Sequence, residues 1–141
     1  FNKSIKKTPL VLIENMSWVM ELDSSGMDFP WTHSQWQDSR SENLYLHYYE
    51  DRSGFCLFNI SDVLHLYKIV VNPNFRRLGR ATSLIQSLRD DACGKDIYLE
   101  VSDRNQEAIG FYKSLGFDEL YRQARFYSDG TGCIKMTLRP L

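Results

Sequence analysis

The chain has 141 residues, 43% hydrophobic and 25% charged, with 17 basic and 18 acidic side chains and a net charge of −1. That length suits a single domain, residues 1–141, able to bury a core without metals or disulfides. The even charge balance exerts no general pull toward nucleic acid, and no stretch is long and apolar enough to span a membrane. Cys56, Cys93 and Cys133 are widely spaced and form no Cys-x-x-Cys, and His33, His47 and His65 lack metal-ligand spacing. The expectation is reduced thiols, a cytoplasmic setting and no metal.

The chain opens at Phe1 rather than Met, which points to residues removed or altered upstream. The apolar run from Pro9 to Ile13 is too short for a secretory signal. Leu10 to Ile13 reads as a strand, and Glu14 to Leu22 as a helix with Met16, Val19 and Met20 at helical spacing. Gly26 and Pro30 interrupt the chain. Thr32 and Gln35 then form a capping box, so a second helix starts at His33. Leu44–Tyr49 and Phe55–Ile60 flank the turn Asp51-Arg52-Ser53-Gly54 and predict a hairpin. Leu64–Val71 adds a third antiparallel strand, which Pro73 ends.

From Gly79 onward Ala81, Leu84, Ile85, Leu88 and Ala92 mark an amphipathic helix, with Gly94 at its C-terminal cap. Asp96–Val101 is a strand. Asn105 caps a further helix, which carries Ala108, Phe111, Tyr112 and Leu115 on one face and ends at Gly116. Phe117–Tyr127 and Cys133–Leu138 close the chain as two strands. The order is β-α-α-β-β-β-α-β-α-β-β, an α/β fold with a mixed central sheet. The strands on either side of the third helix should run parallel.

Three features carry candidate chemistry. The segment Arg76-Arg77-Leu78-Gly79-Arg80-Ala81 lies at a helix N-terminus, where unpaired N–H groups and the macrodipole favour an anion. It reads either as a phosphate cradle or as a solvated basic helix start. Neither GxxxxGK[ST] nor GxGxxG is present. Glu100 stands one residue before the end of an otherwise apolar strand. It is either a strand-end glutamate facing water or a general base with a pKa raised by partial burial. Tyr112 is either a core tyrosine or a proton donor near the strand ends.

Taken together, Leu64 to Phe117 resembles the GCN5-related N-acetyltransferases (GNAT). "RRLGRA" is similar to the family's Gln/Arg-x-x-Gly-x-Gly/Ala motif, with Arg76 first, Gly79 central and Ala81 last. "IYLEVSDRNQEAIGFYKSLGF" looks like its second signature. The RimI branch, the ribosomal-protein alanine N-acetyltransferases, is the nearest in pattern, reaching back to "DFPW" and forward to "RFYSDG". Leu78 and Arg80 depart from the small and aliphatic residues usual in the first motif. The connection from Leu88 to Ile97 and the turn after Tyr127 are shorter than in RimI relatives.

The resemblance implies two splayed parallel strands holding acetyl-CoA as co-substrate, with no metal. It places Ile69, Val70 and Val71 along the pantetheine, at a β-bulge whose N–H near Val71 would stabilise the oxyanion. Arg76 and the stretch Arg77, Leu78, Gly79, Arg80, Ala81 and Thr82 would hold the pyrophosphate, and Asn105 would also touch the cofactor. Glu100 would be the base and Tyr112 the acid. Phe29, Pro30, Trp31 and Tyr127 would line the acceptor site, although "FPW" also reads as simple loop packing.

The expected activity is acetyl transfer to an amine, foremost the N-terminal α-amine of a protein, with ribosomal proteins among the acceptors that the resemblance implies. An acetyltransferase of a small amine, or a non-catalytic acyl-CoA-binding regulatory module, is the alternative. No nucleic-acid or membrane partner is expected, and the sequence leaves the oligomeric state open.

Overall fold

The computed structural model describes residues 5–26 and 29–141. The element order matches the sequence reading, and a seven-stranded sheet runs β1-β2-β3-β4-β5-β7-β6. Its strands are β1 (Ile5–Pro9), β2 (Tyr45–Tyr49), β3 (Gly54–Ile60), β4 (Leu64–Val71), β5 (Ile97–Ser102), β6 (Asp118–Gln123) and β7 (Cys133–Leu138). Helices α1 (Ser17–Gly26) and α2 (His33–Ser39) pack on one face. Helices α3 (Arg80–Ala92) and α4 (Gln106–Ser114) pack on the other. Among the described residues no helix is long and apolar enough to cross a membrane.

The first strand falls earlier than predicted. Ile5–Pro9 pairs with β2 at the sheet edge, whereas Leu10–Leu12 forms a single 3-10 turn. An edge strand can carry lysines, here Lys6 and Lys7, which also deter pairing with other chains. The apolar run has another purpose. Leu10 is buried in the core and its N–H donates to Leu44 O, while Val11 and Leu12 are exposed. Helix α1 starts at Ser17, where Asn15 Oδ1 accepts the Ser17 N–H, and runs past Leu22 to Gly26.

Local signals are otherwise reproduced. Thr32 and Gln35 form both bonds of the capping box, and Asn105 Oδ1 accepts the Ala108 N–H at 3.1 Å. Gly79 precedes α3 with φ 75°, a left-handed conformation that suits glycine. On α4, Ile109 joins Tyr112 on the buried face, with Ala108, Phe111 and Leu115 partly buried beside them.

The bulge in β4 also lies earlier than expected. Leu57 pairs with Lys68 and Phe58 with Leu66, so Tyr67 is the extra residue rather than any of Ile69–Val71. A bulge sends two successive side chains to one face. Tyr67 and Lys68 accordingly both face α1 and α2. Alternation then resumes, with Ile69 toward α3 and Val70 toward α1.

Strands β4 and β5 run parallel only from Leu64–Ile97 to Leu66–Leu99. Beyond that they share no ladder pair among the described residues, so the sheet opens in a V. Glu100 is the first β5 residue past the last pair.

Candidate active site

On the α3/α4 face, the mouth of the V opens into a cleft of about 440 Å³. Ile69 and Val71 of β4 form its floor. Arg76, Arg77, Gly79, Arg80, Ala81 and Thr82 form one wall. Asn105, Ala108, Phe111 and Tyr112 form the other. Most of the residues expected to touch the cofactor therefore surround one space, although they come from segments 30 or so positions apart. Phe75 and Glu107 complete the lining; these two, with Ala108 and Phe111, were not anticipated as site residues. Their helical or turn spacing beside Arg76 and Ala108 was the available signal. Val70 and Leu78 are not in the wall. Val70 is buried on the opposite face, and Leu78 is 66% exposed at the loop tip.

The wall before α3 suits an anion. Arg77 and Gly79 both have positive φ, 63° and 75°. This turns the backbone N–H groups of the loop and first helical turn toward a common region. A Cβ on Gly79 would meet no protein atom within 4 Å, so the space above this residue is open to a ligand. Arg80 behaves differently from the simple phosphate donor expected of it. Its Nη1 donates to Ser53 Oγ at 3.0 Å, and the guanidinium lies over Tyr49 and Phe75. Its Nε is buried without a partner at the edge of the cleft.

Tyr112 is 9% exposed, and burial pushes its phenol well above the ordinary range. A tyrosine in that setting holds its proton, as a donor must. Its hydroxyl has no hydrogen-bond partner within the described residues.

Glu100 faces the other side of the sheet. Leu99 and Val101 point into the core with Tyr112, and by strand alternation Glu100 points toward the α1/α2 side. Its side chain is 24% exposed. The carboxylate is held by neighbours that neither sequence reading of Glu100 included. Lys135 Nζ donates to Oε2 at 2.9 Å, and the Tyr98 hydroxyl donates to the same oxygen at 3.0 Å. His65 Nε2 is 4.0 Å from Oε1. His65 in turn stacks on Tyr67, with centroids 4.1 Å apart. Burial lowers the His65 pKa and pushes Tyr98 up to about 12. The bond to Glu100 raises Lys135 above the usual lysine range. Lys135 was not singled out in the sequence. The signal was one lysine in an otherwise apolar strand, but its partner depends on the β5–β7 register.

The acceptor-side candidates divide. Tyr127 lies near the Glu100–Lys135 pair, and burial pushes its phenol up to about 12. Phe29 and Pro30 are exposed. Trp31 packs inward, 4.8 Å from the Trp36 ring, and its N–H donates to Asp23 Oδ2 at 2.9 Å. Trp31 thus follows the packing reading of "FPW", while Phe29 and Pro30 lie at the surface. Asp28 lies outside the described residues. Cys56 and Cys133 are buried and Cys93 is exposed. Among the described residues no group of three or more His, Cys, Asp or Glu side chains could hold a metal ion.

Comparison with known proteins bears on this architecture. The acetyltransferase (GNAT) family model matches residues 10–117. The [ribosomal protein bS18]-alanine N-acetyltransferase of Escherichia coli K12 is 30% identical over 112 residues, covering 74% of this chain and 75% of that protein. An N-alpha-acetyltransferase of Sulfurisphaera tokodaii is 37% identical over 70 residues, 47% of this chain but only 42% of that protein, so the match spans less than half of the archaeal relative. The crystal structure of the E. coli ribosomal-protein-S18-alanine N-acetyltransferase superposes with a TM-score of 0.72 at 24% identity, covering 96% of this chain and 93% of that one. Its likeness extends the shared fold to nearly the whole chain, while the family match and the 30%-identical E. coli relative show that the chain belongs to the GNAT family of acetyl-CoA-dependent acetyltransferases.

Proposed function

We propose that the chain transfers an acetyl group from acetyl-CoA to the N-terminal α-amine of a protein, as its RimI-type relatives do. The observation that carries this reading is the position of Glu100. It is the first residue past the last β4–β5 pair, with an anion-suited cleft on one side of the V and an aromatic, partly open face on the other.

Acetyl-CoA supplies the thioester carbonyl as electrophile. The N–H groups around Gly79 and the start of α3 hold its pyrophosphate, with Arg76 and Arg77 adding charge. Asn105 and Tyr112 line the same channel from α4. The acceptor reaches the V from the α1/α2 side, past Phe29 and Tyr127. Glu100 accepts the amine proton, directly or through a water, and Tyr112 returns a proton to the departing thiolate. A backbone N–H at the open edge of β4 stabilises the oxyanion. The amine attacks directly, so none of the three cysteines is needed as a nucleophile.

An α-amine suits a single carboxylate base. With a pKa of about 7.7–8.0, roughly a tenth of it is neutral at pH 7, against about one lysine amine in a few thousand.

The test is CoA release with acetyl-CoA and a peptide bearing N-terminal alanine. Turnover that needs the free α-amine supports the reading. No release with the peptide, alongside fast turnover of a polyamine or amino-sugar, leaves an acetyltransferase and overturns the peptide claim.

A further inference from the structure

Lys135 is buried in a strand whose six residues are all buried, and its side chain is 10% exposed. The β5–β7 register sets it directly opposite Glu100. Its ammonium lies 2.9 Å from Glu100 Oε2, 4.8 Å from the centre of the Phe126 ring and 5.4 Å from that of Tyr121. A carboxylate on one side and aromatic faces on the others form the surroundings that bind an amine. Lys135 therefore occupies the cationic partnership with Glu100 that an incoming ammonium would otherwise take.

We propose that Lys135 determines acceptor choice by charge: by neutralising Glu100, it makes the site admit a neutral amine and reject a charged one. The proposal rests on the reading of Glu100 as the base. A bare, partly buried carboxylate would draw any ammonium out of water. A carboxylate already paired has no net charge to offset the desolvation of a second cation, and Lys135 repels that cation at short range.

Of the other titratable groups at this face, Asp103 and Glu42 are the anions, and Glu42 acts on Tyr67. His65 is held toward its neutral form by burial. Tyr98 and Tyr127 both keep their protons far above neutral pH. The Cys133 thiol is raised by burial. Asp103 lies past the end of β5, where its charge acts on Tyr127 and Cys133.

Selection for the neutral form is selection for weakly basic amines. At pH 7 about a tenth of an α-amine qualifies, against about one lysine amine in a few thousand. The site thus separates protein N-termini from lysine side chains and polyamines without reading the rest of the acceptor.

The experiment compares kcat/KM for an N-terminal alanine peptide with that for an α-blocked lysine peptide. It uses the unaltered chain and Lys135→Met, Lys135→Arg and Glu100→Gln. Lys135→Met should move the ratio toward the lysine peptide by about tenfold or more, while Lys135→Arg keeps the original ratio. An unchanged ratio in Lys135→Met overturns the proposal.

Glu100→Gln separates the two readings, because full turnover there defeats the role of Glu100 as base whatever the ratio does. A second measurement needs no variant. Two inhibitory peptides compete for the unaltered chain, one capped by an N-terminal trimethylammonium and one by its neutral tert-butyl isostere. The neutral cap should bind several-fold tighter, and tighter binding of the cationic cap overturns the proposal.

Discussion

Lys68 Nζ lies 2.9 Å from Asp23 Oδ1 where neither side chain reaches solvent, at 3% and 0% exposure. The pair joins the bulged part of β4 to α1. Asp23 Oδ2 also accepts the Trp31 N–H, and Lys68 lies over the Trp31 ring and within 3.4 Å of Phe29 O. One ion pair thus anchors the segment from Phe29 to Trp31.

Removing one member strands the other as a buried charge, which costs about 3–5 kcal/mol. Asp23→Ala should lose that much in urea denaturation. The double variant Asp23→Leu with Lys68→Met should recover most of it, since an apolar pair of similar size carries no desolvation cost. It should still show a raised KM for the acceptor peptide and an unchanged KM for acetyl-CoA, because the Trp31 N–H has lost its acceptor. Equal effects on both KM values would show that the pair does not position the acceptor segment.

Glu100→Gln should lower kcat by about 10²–10⁴, the usual contribution of a positioned acid or base. Tyr112→Phe should fall in the same range with little change in melting temperature, because its hydroxyl makes no bond to lose among the described residues. Single-turnover rates would separate loss of chemistry from slow product release. Undiminished rates in both variants would remove Glu100 and Tyr112 from the chemistry, whereas no transfer by the unaltered chain despite acyl-CoA binding would favour a binding module.

What the sequence revealed depended on how local the cause was. The capping box at Thr32–Gln35 and the Asn105 cap are settled within four residues, and both were legible. That residues within 69–82 would line one cleft was legible because a strand, a small-residue loop and a helix start are contiguous in the chain. The first strand was misplaced because an edge strand is chosen by its partner β2, not by its own hydrophobicity, and Lys6 and Lys7 hid it. The bulge at Tyr67 is a matter of register against β3, and its visible sign, a buried Lys68 beside Tyr67, has meaning only once Asp23 is opposite. The pairing of Glu100 with Lys135 likewise arises from strand neighbours 35 residues apart, which no periodicity encodes.

Gly79→Ala separates backbone strain from ligand contact. Gly79 has φ 75°, and a non-glycine residue there costs about 1–2 kcal/mol. Gly94, at the far end of the same helix, has φ 82°, and an added Cβ there also meets nothing within 4 Å. Both alanine variants should lose similar stability in thermal unfolding. Only Gly79→Ala should raise the KM for acetyl-CoA, by about tenfold, since its methyl group would stand where the phosphates approach the backbone. Similar KM values for the two variants would remove Gly79 from the cofactor site.

Acid sensitivity should centre on His47. This ring is buried between strand and helix, with Nδ1 2.8 Å from Ser87 Oγ and Nε2 2.8 Å from Asp91 Oδ2. Lys7 pairs with the other oxygen of Asp91 at 3.0 Å. Burial lowers the His47 pKa more than Asp91 raises it, and Lys7 adds to the lowering. In the neutral ring, Nε2–H donates to Asp91 and Nδ1 accepts the single Ser87 hydroxyl proton, for which Leu84 O, 2.7 Å from Oγ, competes. The unfolded chain takes up a proton near pH 6.5 that the folded one resists. Stability from this site is therefore fully present above about pH 6.5 and falls as pH drops through the folded value. His65 is shifted in the same direction and adds to the same window. Urea denaturation between pH 5 and 8 should show a shallower acid slope for His47→Gln than for the unaltered chain, with His65→Gln flattening it separately. An unaltered slope in His47→Gln would mean that burial and Asp91 cancel, so that the ring titrates alike in the folded and unfolded chain.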